Sequence, residues 1–211
     1  MKKTSALILI CSILFLTTCI RDTYSPNACF QEDVLPIFIS NCTFSECHNS
    51  KEKESGYDLT TYAGIMKGIT AKHPLRSEIY NTIKGSNPSM PESPYSKLSK
   101  KDVYTIKAWI QMGAKNTSNC KGCDTINYTY SARVKPLIQT WCTGCHNSGN
   151  PGAGFDLTNY NGVVSSIANN KLLGSLKHLS GFSAMPKNAS QLSLCDITAI
   201  QKWITAGYLN N

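Results

Sequence analysis

Residues 141–148 read WCTGCHNS and residues 41–50 read NCTFSECHNS, and these two stretches decide the fold. In the later stretch two residues separate the cysteines and a histidine follows directly, which is the signature of covalent c-type haem attachment. In the earlier stretch four residues separate the cysteines. The earlier stretch is therefore either a haem site with a longer loop or a cysteine pair that closes a disulfide beside an ordinary histidine.

The chemistry of attachment explains why the spacing matters. Two cysteine sulfurs form thioether bonds with the vinyl groups of the porphyrin, and the histidine binds the iron, so one short turn must serve all three bonds. Lengthening a flexible loop from two residues to four costs only about 0.6 kcal/mol of closure entropy. We therefore predict attachment in both stretches, through Cys42, Cys47 and His48 and through Cys142, Cys145 and His146.

The two stretches lie at equivalent places in an internal repeat. In each copy a proline stands six residues before the first cysteine, and an aspartate stands ten residues after the histidine. Equivalent residues include Pro36 and Pro136, Asp58 and Asp156, Tyr62 and Tyr160, and Trp109 and Trp203. We predict a tandem duplication, with an N-terminal half at residues 28–115, a polar linker at 116–124 and a C-terminal half at 125–211.

The pattern of apolar residues predicts a mainly α fold without a substantial sheet, because no segment alternates between apolar and polar residues. Short apolar helices should lead into the cysteine motifs at 34–41 and 134–141. Longer helices at 99–112 and 193–206 should each begin at a serine cap and stop at a glycine. The intervening segments, 65–84 and 163–178, should be helical or mixed.

A Met-Pro pair stands between the histidine and the last predicted helix of each half. A methionine thioether is a soft ligand that pairs with histidine on the iron of many cytochromes c. The predicted axial pairs are His48 with Met90 and His146 with Met185. The rival ligands are His73 and His178, which do not align with each other and are better explained as surface or supporting histidines.

Both halves resemble small bacterial cytochrome c domains, which carry the same order of Cys-His, Met-Pro and Trp-Ile-x-x-Gly elements. The resemblance covers nearly all of the chain after residue 27. It implies two compact helical domains, each wrapped round one covalently attached haem c, and hence two haem irons in an exported dihaem cytochrome. It also implies that Trp109 and Trp203 lie at the contact between the first and last helices or at the haem edge. Longer-loop haem sites occur in some bacterial multihaem cytochromes.

The N-terminus predicts export. Two lysines precede an apolar run of about a dozen residues, which is too short for a membrane span and typical of a signal peptide. Residues 16–19 read LTTC and resemble the lipobox of bacterial lipoproteins, although Thr18 is larger than the usual residue there. We predict a lipoprotein signal at residues 1–18 and acylation of Cys19, which would anchor the protein to a membrane surface. The alternative is an ordinary cleaved signal.

Four further cysteines are candidates for disulfides in an oxidising compartment: Cys29, Cys120, Cys123 and Cys195. Four cysteines allow three pairings, and the sequence does not choose among them. The Cys-x-x-Cys pair at 120–123 can also be read as a redox-active dithiol or a zinc site, but no βαβ pattern surrounds it and no histidine follows it.

The leading functional prediction is one-electron transfer by a carrier in the periplasm or cell envelope. The net charge of +8 favours an acidic redox partner, and no dense basic stripe points to nucleic acid. The main alternative is a haem enzyme, such as a dihaem peroxidase or the cytochrome subunit of a dehydrogenase complex. Two Met-Pro ligands argue against a peroxidase, which needs an open iron position. A haem sensor or a structural lipoprotein is a third class.

Overall fold

The computed structural model describes residues 28–120, 122–124, 126–151 and 154–211. The predicted signal peptide and Cys19 lie outside the described residues. The described chain is mainly helical, which confirms the predicted mainly α content. Its strands are one antiparallel pair of two residues each, β1 (His146–Asn147) and β2 (Asn150–Pro151). None of the helices in these ranges is long and apolar enough to cross a membrane.

The N-terminal half contains four α-helices. They are α1 (Leu35–Cys42), α2 (Tyr62–Met66), α3 (Glu78–Ile83) and α4 (Lys100–Gln111). A π-helical turn (Phe30–Val34) runs into α1, and 3₁₀ turns occupy Glu54–Gly56 and Pro74–Arg76. The segment predicted as mixed is thus two short helices separated at Pro74.

The C-terminal half repeats this order. It contains α5 (Lys135–Trp141), α6 (Tyr160–Ile167), α7 (Lys171–Leu176) and α8 (Leu194–Thr205). A π-helical turn (Tyr130–Val134) precedes α5, and a 3₁₀ turn (Ala168–Asn170) joins α6 to α7. In α4 and α8 the predicted serine caps are present, because the hydroxyls of Ser99 and Ser193 accept the amides of Asp102 and Asp196, each at 3.1 Å.

The helices α1 and α5 begin within one residue of the prediction, but helical backbone already starts before them, in the π-helical turns Phe30–Val34 and Tyr130–Val134. In the N-terminal half the amides of Asp33 and Val34 both donate to the carbonyl of Cys29, at 2.8 and 3.2 Å, and the Asp33 carboxylate accepts the Cys29 amide. In the C-terminal half the amide of Val134 bonds the carbonyl of Thr129 in the same way. The free amides of the first turn bond distant residues instead, Thr117 in the N-terminal half and Asn211 in the C-terminal half.

Each half has its own cluster of buried apolar side chains. The centre of each cluster is a trio of aromatic rings from the first turn, the second helix and the last helix. In the N-terminal half the trio is Phe30, Tyr62 and Trp109, whose ring centroids lie 5.1 to 6.5 Å apart. In the C-terminal half it is Tyr130, Tyr160 and Trp203. Both tryptophans are at most 2% exposed, so they anchor the contact between the first and last helices.

The two halves touch where α1 meets α5. The hydroxyl of Ser40 donates to the carbonyl of Thr140 at 2.8 Å. Gly144 approaches so closely that a Cβ there would lie 1.9 Å from the Ser40 carbonyl oxygen. Trp141 packs against both apolar clusters. The ends of α1 and α5, from which the two cysteine motifs continue, therefore lie side by side.

The four candidate disulfide cysteines are paired as Cys29–Cys120 and Cys123–Cys195. One bond joins the linker to the start of the N-terminal half. The other joins the linker to α8 of the C-terminal half. Because Cys120 and Cys123 bond different partners, they do not form a dithiol pair with each other.

Gly162 occupies a position that has no room for a side chain. A Cβ there would lie 1.6 Å from the carbonyl oxygen of Asp156, and the equivalent Gly64 is as restricted by Asp58, at 1.8 Å. We expect Gly162→Ala to lower the free energy of unfolding by about 3 kcal/mol, because the backbone must shift. Urea unfolding followed by circular dichroism measures this.

The matched control is Gly149→Ala. Its Cβ would meet only the Asn147 side chain, at an ordinary 3.4 Å. Equal losses of stability in the two variants would contradict the steric explanation.

Candidate functional site

The C-terminal turn, residues 142–146, follows directly from α5. The amides of Cys145 and His146 both donate to the carbonyl of Cys142, at 3.1 and 2.9 Å. This closes the backbone into one tight turn. The two cysteines and the histidine are thus held on the same short segment at the end of a helix.

The N-terminal turn, residues 42–48, closes in the same way despite its longer loop. The amide of His48 donates to the carbonyl of Cys42 at 3.1 Å, as in the C-terminal turn. The amide of Cys47 bonds instead to the carbonyl of Phe44, at 3.2 Å. The two additional residues therefore leave the ends of the turn in the same hydrogen-bonded relation.

Hydrogen bonds also identify which two residues are additional. The side-chain amide of Asn49 donates to the carbonyl of Phe44 at 2.9 Å, and that of Asn147 donates to the carbonyls of Thr143 and Gly144, at 3.0 Å each. The hydroxyls of Thr43 and Thr143 each donate to the carbonyl four residues earlier, so these two threonines correspond. Phe44 is therefore the counterpart of Gly144. The additional residues are 45 and 46, which are exposed, and the second of them has a left-handed backbone with φ of 64°.

The segments after the two histidines are fixed alike. The amide of Leu59 donates to the carbonyl of His48 at 2.8 Å, and that of Leu157 donates to the carbonyl of His146 at 2.9 Å. The Asp58 carboxylate accepts from both the amide and the hydroxyl of the threonine two residues later, and Asp156 does the same. The equal spacing from histidine to aspartate in the sequence therefore corresponds to equal backbone geometry.

The imidazole of His48 is oriented for metal binding. Its Nδ1 lies 2.9 Å from the carbonyl oxygen of Glu54. A carbonyl only accepts hydrogen bonds, so Nδ1 carries the proton and Nε2 keeps its lone pair for a metal. In His146 the Nδ1 atom is buried and has no hydrogen-bond partner among the described residues. In the repeat, Glu54 aligns with Gly152, which lies outside the described residues.

All four cysteines of the two turns are free thiols. Burial, with a smaller contribution from the neighbouring cysteine, raises the pKa of Cys42 and of Cys142 to about 12. Burial also raises the pKa of Cys47 and Cys145. Burial therefore favours the protonated thiols at neutral pH, which disfavours a nucleophilic role that needs the thiolate.

The Met-Pro pairs lie at equivalent positions after α3 and α7. The amide of Met90 donates to the carbonyl of Thr82 at 3.0 Å, and the amide of Met185 donates to the carbonyl of Ser175 at 3.1 Å. Both methionines are partly buried, both prolines are buried and both Met-Pro bonds are cis. Met90 packs against the same apolar cluster as Cys42, whereas Met185 lies beside His178.

Different side chains hold the two Met-Pro pairs. In the N-terminal half the ammonium of Lys97 donates to the carbonyl of Ser89 at 3.1 Å and also to the carbonyl of Pro91. In the C-terminal half Nε2 of His178 donates to the carbonyl of Met185 at 3.0 Å. His178 is thus engaged with the backbone of the predicted ligand, which agrees with the supporting role suggested for it from the sequence, whereas nothing in the sequence identified Lys97. The other rival, His73, is exposed.

A comparison with protein-family models, with curated proteins and with solved structures finds no match to this chain. Functional reasoning therefore rests on the two turns.

One other group of residues has metal-ligand chemistry. The ligand atoms of Cys29, Glu32 and Cys120 lie within 4.8 Å of one another. The two sulfurs are bonded to each other, so they are not available as thiolates. This group therefore forms no metal site while the disulfide is intact.

Proposed function

We propose that this protein is a dihaem c-type cytochrome that passes single electrons between redox partner proteins in the periplasm or cell envelope. The observation that carries the proposal is the shared closure of the two turns. In each, two free thiols and an imidazole stand on one segment closed by a bond from the histidine amide to the first cysteine carbonyl.

The residues of each turn fit a covalently bound haem. Four thiols stay outside disulfides, while the other four cysteines of the described chain are paired. Nε2 of His48 keeps a lone pair that could bind iron, and Nδ1 of His146 is buried without a hydrogen-bond partner among the described residues. A bound haem would supply an iron that alternates between the ferric and ferrous states.

The protein's own residues have defined roles in this proposal. Cys42, Cys47, Cys142 and Cys145 would form the thioethers, and His48 with Met90 and His146 with Met185 would bind the two irons. Lys97 and His178 would hold the methionines in position through the backbone. Two full sets of ligands favour electron transfer over catalysis at an open iron.

Charge and the N-terminus support the proposed location and partners. Without Lys2 and Lys3 of the predicted signal the net charge is +6, which would attract an acidic redox protein and speed its encounter. Acylation of Cys19 would hold the carrier at a membrane surface. Two disulfides within the chain agree with an oxidising compartment.

The test is the haem count and ligation of the mature protein made with its export and attachment pathways. Intact mass and a haemochrome spectrum should give two covalent haems, and the same mass detects an acyl group. The ferric spectrum should be low-spin, and carbon monoxide should bind little at neutral pH. One haem would contradict attachment at the N-terminal turn. A large high-spin fraction that binds carbon monoxide would instead favour a haem enzyme.

A further inference from the structure

The Cys123–Cys195 disulfide has surroundings that favour its reduction. Cys195 lies in the first turn of α8, and Nη2 of Arg133 is 3.9 Å from its sulfur. A cation and a helix N-terminus both stabilise a thiolate, and a stabilised thiolate leaves faster in thiol–disulfide exchange. When this bond opens, Cys195 is therefore the favoured leaving sulfur.

The other sulfur of this bond is open to an attacking thiol. Cys123 is exposed on the linker, whereas Cys195 is partly buried. Beside Cys195 lies a cleft of about 180 Å³, whose lining also includes Gly122 and Arg133. A thiolate can therefore approach Cys123 from solvent, and the cleft gives Cys195 room to move away from it next to the guanidinium.

The carboxylates nearby do not reverse this preference. Nη2 of Arg133 also pairs with Asp196 at 2.7 Å, but the Asp196 carboxylate accepts a serine hydroxyl at 2.8 Å as well, so its charge is shared between two donors. Asp124 follows Cys123 directly and places a negative charge on that side of the bond. Of the two sulfurs, the one on α8 is therefore better placed to carry the charge of a thiolate.

The Cys29–Cys120 disulfide has the opposite surroundings. Cys29 is 1% exposed, and the carbonyl oxygen of Thr117 lies 3.5 Å from its sulfur. The Glu32 carboxylate accepts the Cys120 amide at 3.0 Å and lies within 4.8 Å of both sulfurs. Burial and negative charge disfavour the thiolates that reduction would release. We therefore expect this bond to resist a reductant that opens the other one.

We propose that Cys123–Cys195 is a site of thiol–disulfide exchange with a protein dithiol, and that Cys29–Cys120 is not. The attacking thiolate bonds to Cys123, and Cys195 leaves as a thiolate beside Arg133. The second thiol of the partner then displaces Cys123. The partner dithiol is oxidised to a disulfide, the Cys123–Cys195 bond is reduced by two electrons, and the two protons of the dithiol pass to the released sulfurs.

Reduction at this site changes how the linker is held. The linker is released from α8 but stays bonded to the N-terminal half through Cys29–Cys120. This inference goes beyond the proposed function and uses none of the residues assigned to the haem sites.

The test follows the opening of each disulfide in the mature, full-length protein at neutral pH. Samples treated with dithiothreitol or with reduced thioredoxin are quenched with an alkylating reagent, and peptide mass spectrometry reports the alkylation of each cysteine. We expect Cys123 and Cys195 to be alkylated about ten times faster than Cys29 and Cys120. A thioredoxin variant that lacks its second active-site cysteine should be trapped as a mixed disulfide on Cys123.

Variants of Arg133 separate the effect of charge from that of packing. Arg133→Ala should slow the opening of Cys123–Cys195 by about tenfold, and Arg133→Lys, which keeps a cation, should retain most of the rate. A change that merely loosened α8 would expose the bond and speed its opening, which is the opposite result. The matched control is Lys135→Ala, which removes an exposed cation two residues further on and should leave both rates unchanged.

Three results would overturn the inference. If the two disulfides of the unmodified protein open at equal rates, or Cys29–Cys120 opens first, their surroundings do not set their reactivity. If Arg133→Ala opens Cys123–Cys195 at an unchanged or higher rate, the guanidinium does not stabilise the leaving sulfur. If thioredoxin is trapped on Cys195 or not at all, the assigned point of attack is wrong. A haem count below two would refute the proposed function and would leave this comparison of rates unaffected.

Discussion

Replacing Cys142 and Cys145 together with serine is expected to lower the covalent haem content from two groups to one. Both thioether bonds of the C-terminal turn are lost, and His146 alone forms no covalent bond. The backbone of the turn should persist, because the bond from the His146 amide goes to a main-chain carbonyl. Intact mass should fall by one haem, apart from the two sulfur-to-oxygen changes, and the haemochrome absorbance should halve.

The companion variant, Cys42→Ser with Cys47→Ser, tests whether the N-terminal turn with its longer loop attaches a haem. We expect it to lose the other haem, so that the two double variants carry one haem each. If this variant keeps the full haem content while the Cys142 and Cys145 variant carries none, the N-terminal turn is not an attachment site. Such a result would limit the proposed function to a single haem.

The sequence predicted the helical elements well wherever a local signal was present. The serine at 99 and the aspartate three residues later predicted the start of α4, and the structure has the corresponding bond. The same signal at Ser193 predicted α8. These signals are reliable because an N-cap acts only on its own first turn. The π-helical turns before α1 and α5 were missed, because nothing in the apolar pattern identified the bonds from Val34 and Val134 to residues five positions before them.

Features that join distant parts of the chain were not available from the sequence. The contact between Ser40 and Thr140 bridges one hundred residues. The disulfide partners were equally open, because any of three pairings fits four cysteines. Such contacts depend on how the two halves pack, and no local pattern encodes that packing.

The cysteine motif with the longer loop is the case where structure and sequence together sharpen the prediction. Spacing alone showed that two residues were additional. The matching bonds of the threonines at 43 and 143, together with those of Asn49 and Asn147, identify Phe44 as the counterpart of Gly144. The additional residues extend the loop away from the closing bond, while Phe44 gains a stacking partner in Tyr95. The longer loop thus keeps the geometry of the turn and adds a contact beside the other half.

Removing the Cys123–Cys195 disulfide is expected to lower the free energy of unfolding by about 4 kcal/mol. The bond spans 72 residues of sequence, so its loss frees a long loop in the unfolded chain. In the folded chain it ties the linker to the first turn of α8, where Arg133 pairs with Asp196 at 2.7 Å. Cys123→Ala with Cys195→Ala is the variant, and urea unfolding followed by helical circular dichroism is the measurement.

The other disulfide provides the matched comparison, because Cys29–Cys120 spans a similar 91 residues but ties the linker to the N-terminal half. Cys29→Ala with Cys120→Ala should destabilise by a similar amount, since closure entropy grows only slowly with loop length. In both variants the free thiols of the two turns should be blocked by attached haem, so new disulfides should not form. If removing Cys123–Cys195 changes the free energy of unfolding by less than about 1 kcal/mol, well below the usual range for such loops, the linker stays docked without it. In that case the packing of the linker against α8 would bring the two cysteines together, and the disulfide would add little to the stability of that packing.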